Sequence, residues 1–404
     1  MFFSHYGRAA LLLVIGLLGG SINLAMAQAQ KLSPEVLDEL KKVASIYGMI
    51  QTDYVTPVDG TVVLASCMKG MLNKLDLQSA YMEKDEFEDF MRGPPKDLVG
   101  IGVEIVIRAG LPTVVSAIEG SPASRSGLRP KDYIMEIDGH SMEESEARDA
   151  VKRLRGKPGT TVNLTIRRPG EMENRSLTLI REPSYLRRVS SRRAPFDIGY
   201  LRIPSVNEST APDVRAEFRK LQATGPLRGL VLDLRNSPGG LLLSSIELAA
   251  MFLPPDAPIV STEGRLSESN RAWTANRDEI LKGGYAKRDD WPDAMKSVPL
   301  VVLVNAGTAS GVEIIAAALR DNNRAKLMGS KTFGRGTIQT LRPLSKDSAV
   351  KLTTAFYKTP SGRQLQGNGL EPDVQAPDLQ RMEDAGTDQD AGLIKAINLL
   401  RAPS

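Results

Sequence analysis

Two short runs, Leu230–Leu234 and Leu300–Val304, constrain the fold more than any other feature of the chain. Apart from Asp233, every position in them is apolar. A strand with one solvated face alternates apolar and polar residues, so a run without alternation needs cover on both faces. Helices packed on the two sides of a largely parallel sheet supply it. Each run leads into a turn of small and glycine residues and then a helical pattern, Leu243–Met251 after the first and Ser310–Arg320 after the second. With strands expected at Gly199–Ile203 and Val350–Tyr357 and a helix at Ala211–Leu221, residues 198–378 read as one α/β core. Residues 262–297 are polar and carry Trp273 and Trp291, which suggests a surface insertion. An acidic, loose tail and a short amphipathic helix at Ala391–Leu400 fill residues 379–404.

Upstream the pattern is different. Ser33 and Pro34 open an amphipathic helix that reaches about Gln51, with Leu37, Leu40, Ala44 and Tyr47 on one face. Helices are also expected at Val62–Leu75 and Glu83–Arg92, so residues 28–95 form a helical segment closed by Gly93-Pro94-Pro95. Residues 96–182 then read as short strands: one after the glycine turn Gly100-Ile101-Gly102, then Thr113–Ile118, Lys131–Ile137, Thr160–Arg167 and Ser176–Arg181. Ser141 and Glu144 suit a capping box for a helix ending near Leu154. Together these make a small half-open barrel. A basic stretch with Arg187, Arg188, Arg192 and Arg193 reads as a solvated connector over residues 183–197. The class is therefore multidomain α+β: a half-open β-barrel, an α/β core, and helices at both ends.

Residues 1–27 read as a secretory signal: Arg8, an apolar run from Ala9 to Gly20, and Ala25-Met26-Ala27 as the cleavage site. Export across the inner membrane to the periplasm is expected, with an uncleaved anchor as the alternative. The single cysteine, Cys67, forbids an intrachain disulfide and suits an oxidising compartment. One cysteine and two histidines cannot make the usual structural zinc sites, and neither metal nor cofactor is expected. The net charge of +4 comes from 52 basic and 48 acidic residues, a balance without the footprint of a nucleic-acid binder.

Three turns of the core carry chemistry. Asp233-Leu234-Arg235-Asn236-Ser237-Pro238-Gly239-Gly240-Leu241 places a glycine pair before a helix, where backbone N–H groups can receive an oxyanion. Asn305-Ala306-Gly307-Thr308-Ala309-Ser310-Gly311-Val312-Glu313 presents Ser310 at a helix N-terminus, where the dipole favours developing negative charge. Lys331-Thr332-Phe333-Gly334-Arg335-Gly336-Thr337-Ile338-Gln339 is the third. The core contains no histidine, so a Ser–His–Asp triad is excluded there. Glu313, in the first helical turn, suits the helix dipole. His140 follows the Asp138-Gly139 turn and reads as an exposed loop residue.

These turns, with Thr359-Pro360-Ser361-Gly362-Arg363 and Gly367-Asn368-Gly369-Leu370-Glu371-Pro372-Asp373, resemble the C-terminal processing, or tail-specific, peptidases of the S41 type. Gly100-Ile101-Gly102, Gly120-Ser121-Pro122-Ala123, Ser126-Gly127-Leu128, Asp132 and Ile137-Asp138-Gly139 make the barrel similar to the circularly permuted PDZ domain of bacterial envelope proteases. The resemblance covers essentially all of the chain after the signal. It implies that Gly100, Ile101, Gly102 and Val103 receive a peptide C-terminus by a backbone nest and an added strand. It also implies Ser310 as nucleophile, Gly239, Gly240 and Gly311 as oxyanion donors, and Gln339 as the supporting glutamine.

The family's base, a lysine four residues before that glutamine, falls on Arg335. A guanidinium has no acceptor and stays charged, so it cannot take the serine proton. Lys331 is the substitute amine in the same stretch. The leading expectation is a periplasmic serine endopeptidase that cleaves near the C-termini of proteins. The alternative is a degenerate peptidase acting as a peptide-binding regulator or scaffold. Expected partners are protein or peptide C-termini, a second copy of the chain through the apolar helical faces at 33–75 and 391–400, and an activator or adaptor protein.

Overall fold

The computed structural model describes residues 33–402 except 77, 93–97, 144, 146, 185–188, 283–290 and 377–383. The expected signal segment, Glu144, Arg187, Arg188 and the centre of the acidic tail lie outside the described residues.

Two compact units are present, one ending at Met71 and one beginning at Leu72. The first consists of α1 (Pro34–Asp53) and most of α2 (Gly60–Asn73). Ser33 caps α1, accepting from Val36 N–H at 3.4 Å, and Pro34 occupies the first turn as expected. No side chain of α1 is buried, and α2 buries only Ala65. Val36, Leu40, Val43, Ile46 and Met49 remain exposed along α1.

The second unit opens with β1 (Ala80–Met82) and α3 (Lys84–Arg92). The barrel follows, with β2 (Leu98–Gly100), β3 (Val103–Arg108), β4 (Leu111–Ala117), the short α4 (Pro122–Arg125), β5 (Tyr133–Ile137), β6 (His140–Ser141), α5 (Ala147–Leu154), β7 (Thr161–Arg167), β8 (Arg175–Ile180) and β9 (Glu182–Ser184). Its sheet order is β3-β4-β5-β7-β8, which leaves β3 on an edge. Ile101, Val114, Ile134, Ile137, Val162, Leu164 and their neighbours form its core. α5 starts at Ala147, later than Ser141 would place it, because Ser141 lies in β6 and pairs with Glu136 of β5. His140 is exposed, as expected, but lies in β6 opposite Ile137 rather than in a loop.

The core contains β10 (Ser190–Ala194), β11 (Ile198–Arg202), α6 (Thr210–Gln222), β12 (Gly229–Asp233), α7 (Leu242–Phe252), β13 (Pro258–Gly264), β14 (Ala272–Thr274), α8 (Arg277–Lys282), α9 (Ala294–Ser297), β15 (Leu300–Val304), α10 (Gly311–Asp321), β16 (Lys326–Gly329), β17 (Thr337–Ser345), β18 (Ser348–Lys358), β19 (Val374–Gln375) and α11 (Ala391–Arg401). Its main sheet runs β10-β11-β12-β15-β16-β19, parallel from β11 onward. Every residue of β11, β12 and β15 is buried, which is why these runs carry no polar alternation. One face packs under α7 and α10, and the other under α11.

Four expectations change. The basic connector instead supplies β10, an edge strand, since Arg193 satisfies the carbonyls of Leu221, Gly225 and Pro226. Trp291 is buried and Trp273 packs on the core, so the polar segment around them is not simply a surface excursion. The acidic tail ends in a buried anchor, Asp390, which caps α11. The apolar face of α11, Leu393, Ala396 and Ile397, packs against the main sheet and leaves little for self-association.

Candidate active site

The three chemical turns meet at the C-terminal ends of β12, β15 and β16, where ligands bind in open parallel sheets. They are stitched by short polar contacts. Asn236 N–H donates to Asn305 Oδ1 and Asn305 Nδ2 donates back to Asn236 Oδ1, both at 2.9 Å. Thr308 Oγ1 donates to the Leu234 carbonyl at 2.9 Å, and Phe333 N–H donates to the Thr308 carbonyl at 3.0 Å.

Ser310 sits directly before α10 with φ 57° and ψ −124°, a conformation that L residues adopt only under constraint. Gly239 lies against it. A Cβ on Gly239, whose φ is +89°, would fall 2.9 Å from Ser310 Cβ and 2.6 Å from Gly311 N. Only glycine permits that approach, so Gly239 and Gly311 lie together beside the serine. Gly240 plays another part. It bridges to Val206, and a Cβ there would collide with the Val206 carbonyl.

Glu313 is the hub of the site. It is fully buried and accepts from Ser310 N–H at 2.8 Å, from Gly334 N–H and Arg335 N–H at 2.9 Å, and from Thr332 Oγ1. Burial pushes its carboxyl up to about 7, against the pull of these donors. Sequence reasoning gave Glu313 only a dipole role. The Ser-x-x-Glu spacing was the visible signal, but its second half, the contacts to residues 332–335, comes from a distant segment.

The side chains of Arg335 and Lys331 are each paired with a carboxylate. Arg335 Nη1 meets Glu104 Oε1 of β3 at 2.9 Å. Lys331 Nζ meets Glu371 Oε1 at 2.8 Å, with both side chains about half exposed. Gln339 turns into its own sheet, donating to Thr337 Oγ1 at 2.9 Å and Thr353 Oγ1 at 3.4 Å. The structure therefore brings Ser310, Gly239, Gly311 and Glu313 together and leaves Lys331 and Gln339 bonded to other partners.

A second buried cluster supports the first turn from below. Arg235 and Asp233 are wholly buried and paired at 2.6 Å, and Arg235 also meets Asp390 at 2.6 Å. Burial alone would raise the Asp233 carboxyl, but Arg235 and Arg202 hold it down at about 2. Asp390 is a residue that sequence reasoning placed in a loose tail.

The barrel lies against this site. β3 is an edge strand with a bulge between Glu104 and Ile105. Val103 and Ile105 pack on the barrel's own core, while Val106 joins a cluster with Val115, Ala309 and Phe333. The Arg108 guanidinium stacks over the Phe333 ring, 5.8 Å from its centroid. A cavity of about 310 Å³ runs from Gly100–Val103 and from Val151 and Leu154 of α5 to Asn236 and Pro238 of the first chemical turn. All four sequence-predicted peptide-binding residues line it.

Residues 197–376 match peptidase family S41, residues 99–179 match the PDZ domain, and residues 20–86 match the activating protease CtpB N-terminal domain. The chain is 34% identical over 372 residues to a carboxy-terminal-processing protease of Bartonella bacilliformis, across 91% of this chain and 82% of the relative. It is 33% identical over 362 residues to a probable CtpA-like serine protease of Staphylococcus haemolyticus, across 89% and 69% of the two chains. Among solved structures, a photosystem II D1 C-terminal processing protease aligns with a TM-score of 0.69 at 28% identity, over 83% of this chain and 89% of that one.

Proposed function

Because the chain belongs to the carboxy-terminal-processing proteases of peptidase family S41, with a PDZ domain ahead of the peptidase core, we propose that it captures C-terminal tails and delivers them to a Ser310 site whose hydrolytic step is suppressed. The tail's carboxylate would sit on the backbone of Gly100–Val103, its chain would add to the edge of β3, and the cavity leads it to Asn236 and Pro238. One observation carries the suppressed step. On the motif spacing, Arg335 stands where the family has its lysine, and its guanidinium is engaged by Glu104. A guanidinium cannot accept the proton of Ser310. Lys331, the nearest alternative in sequence, is held at the surface by Glu371. General-base help is worth about 10²–10⁴ in rate.

A second reading, a working serine endopeptidase, is favoured by the strained backbone of Ser310 and the glycines kept beside it. In that case Ser310 Oγ attacks the scissile carbonyl, Gly311 N–H with Gly239 stabilises the oxyanion, and water resolves the acyl-enzyme. Cleavage of casein and of tail peptides decides between the two readings. The natural chain, Ser310→Ala and Arg335→Lys are compared, with and without soluble periplasmic extract. Silence in the natural chain and Ser310-dependent cleavage in Arg335→Lys support suppression. Cleavage by the natural chain that vanishes in Ser310→Ala overturns it.

We assign the protein to the periplasm on the signal pattern of residues 1–27. Among the described residues no helix is long and apolar enough to cross a membrane. We also assign self-association to the exposed stripe of α1. A monomer in sedimentation at micromolar concentration would remove that assignment.

A further inference from the structure

The turn at the head of the barrel's cavity keeps two backbone donors open. Ile101 and Gly102 are buried and line the cavity. Their carbonyls are taken: Ala123 N–H donates to that of Ile101 at 2.9 Å, and Ile118 N–H and Ser121 Oγ donate to that of Gly102 at 2.8 and 3.0 Å. Their own N–H groups have no acceptor among the described residues. Gly102 has φ +72°, a left-handed turn that curls successive N–H groups into an anion-binding concavity. Four charged side chains line the same cavity: Glu104, Glu119, Arg202 and Arg155. Glu104 is paired with Arg335, and Glu119 with Arg202, which also meets Asp233 at 3.3 Å. Two further acids of the barrel are matched as well. Glu182 of β9, whose backbone pairs with Gly100, gives its carboxylate to Arg125 at 2.6 Å, and Asp138 meets Arg181 at 3.6 Å. Of the four lining charges, the Arg155 guanidinium alone has no ion pair or hydrogen bond among the described residues. Arg155 follows the last residue of α5 and lies against the open turn. A Cβ on Gly100 would fall 3.2 Å from the Leu154 carbonyl and 3.6 Å from both Cα and Cγ of Arg155.

We propose that Arg155 selects a free C-terminus, its guanidinium pairing with the terminal carboxylate seated on the N–H groups of Ile101 and Gly102. The inference rests on the tail-binding reading of this groove and names the residue that reads the end of the tail. A carboxylate has about four lone-pair sites, so one that accepts from two backbone N–H groups can still accept from a guanidinium. An internal segment, or an amidated end, brings no charge for Arg155 to meet. Lys152 and Arg153 of the last turn of α5 are also exposed cations, but neither lines the cavity. Arg155 is itself exposed, so its pairing costs little desolvation and is screened by salt.

The test is fluorescence anisotropy with the full chain carrying Ser310→Ala. The probe is one labelled peptide with uncharged side chains and an apolar last residue, made with a free C-terminal carboxylate and with an amidated end. The free acid should bind about tenfold more tightly than the amide. Arg155→Gln should weaken binding of the acid about fivefold at low salt and leave the amide unchanged, with the effect fading as salt is raised. Arg155→Lys should restore part of the loss, since it keeps the charge without the planar fork. Arg153→Gln should change neither peptide. A preference for the acid that survives Arg155→Gln overturns the proposal and leaves tail binding standing, since the backbone turn alone would then read the carboxylate. An equal loss for acid and amide also overturns it, as does the same loss in Arg153→Gln, which would mark a general field from the end of α5. Failure of both peptides to bind the chain with Arg155 in place removes the tail-binding reading itself.

Discussion

Glu104 of the PDZ edge strand and Arg335 form an ion pair of 2.9 Å that joins β3 to the third chemical turn. Both side chains are about one-third exposed, so water screens the pair. Its coupling energy should be modest, about 0.5–1 kcal/mol. A double-mutant cycle of Glu104→Gln and Arg335→Gln, read by urea unfolding, checks this. A coupling several times larger would mean that the pair holds the two domains together rather than merely linking them.

Glu313→Gln should destabilise the protein by about 2–4 kcal/mol. Its two carboxylate oxygens face donors on both sides, and the amide end of a glutamine would present N–H groups to N–H groups. Urea unfolding at neutral pH measures the loss.

The same residue gives a pH signature. The folded carboxyl titrates near 7, above its ordinary value of 4.5. Between these values the folded state binds the proton more tightly than the unfolded chain. Glu313 therefore costs stability as pH rises from about 4.5 to 7, on the order of 3 kcal/mol in all. The unfolding free energy of the natural chain should fall through that window, and Glu313→Gln should flatten that part of the curve. An unchanged slope in the variant would show that Glu313 ionises normally.

Gly239→Ala should disable the site. The new Cβ meets backbone and Ser310 within 3 Å, and the φ of +89° is unfavourable for alanine. A loss of at least about 2 kcal/mol in unfolding free energy is expected. So is the disappearance of Ser310 labelling by a serine-directed phosphonate, if Arg335→Lys shows such labelling.

Asp390→Ala leaves Arg235 with one carboxylate instead of two and removes the cap of α11. Breaking a buried ionic cluster costs about 3–5 kcal/mol. Here the remaining Asp233 should keep the loss near the lower figure. Hydrogen exchange should rise in α11 and in the turn after β12 together, because Arg235 connects them.

Much of the fold was legible because it is written in local patterns. The fully apolar runs at 230–234 and 300–304, broken only by Asp233, announced buried parallel strands, and glycines at 239, 240, 307 and 311 announced the turns that expose a serine. Less visible were elements whose stability comes from partners far along the chain. β10 looked like a connector because its Arg193 finds its acceptors among the carbonyls of residues 221–226. Asp390 looked solvated because its partner Arg235 is 155 residues away. The sequence alone decided that no histidine stands in the core and that arginine occupies position 335. Only the tertiary structure decided where the charges go. It buried Glu313 among four donors and sent Arg335 to Glu104 and Lys331 to Glu371. Side-chain identity is a local property, whereas the partner of a charge and the water around it depend on which distant segments the packing brings together.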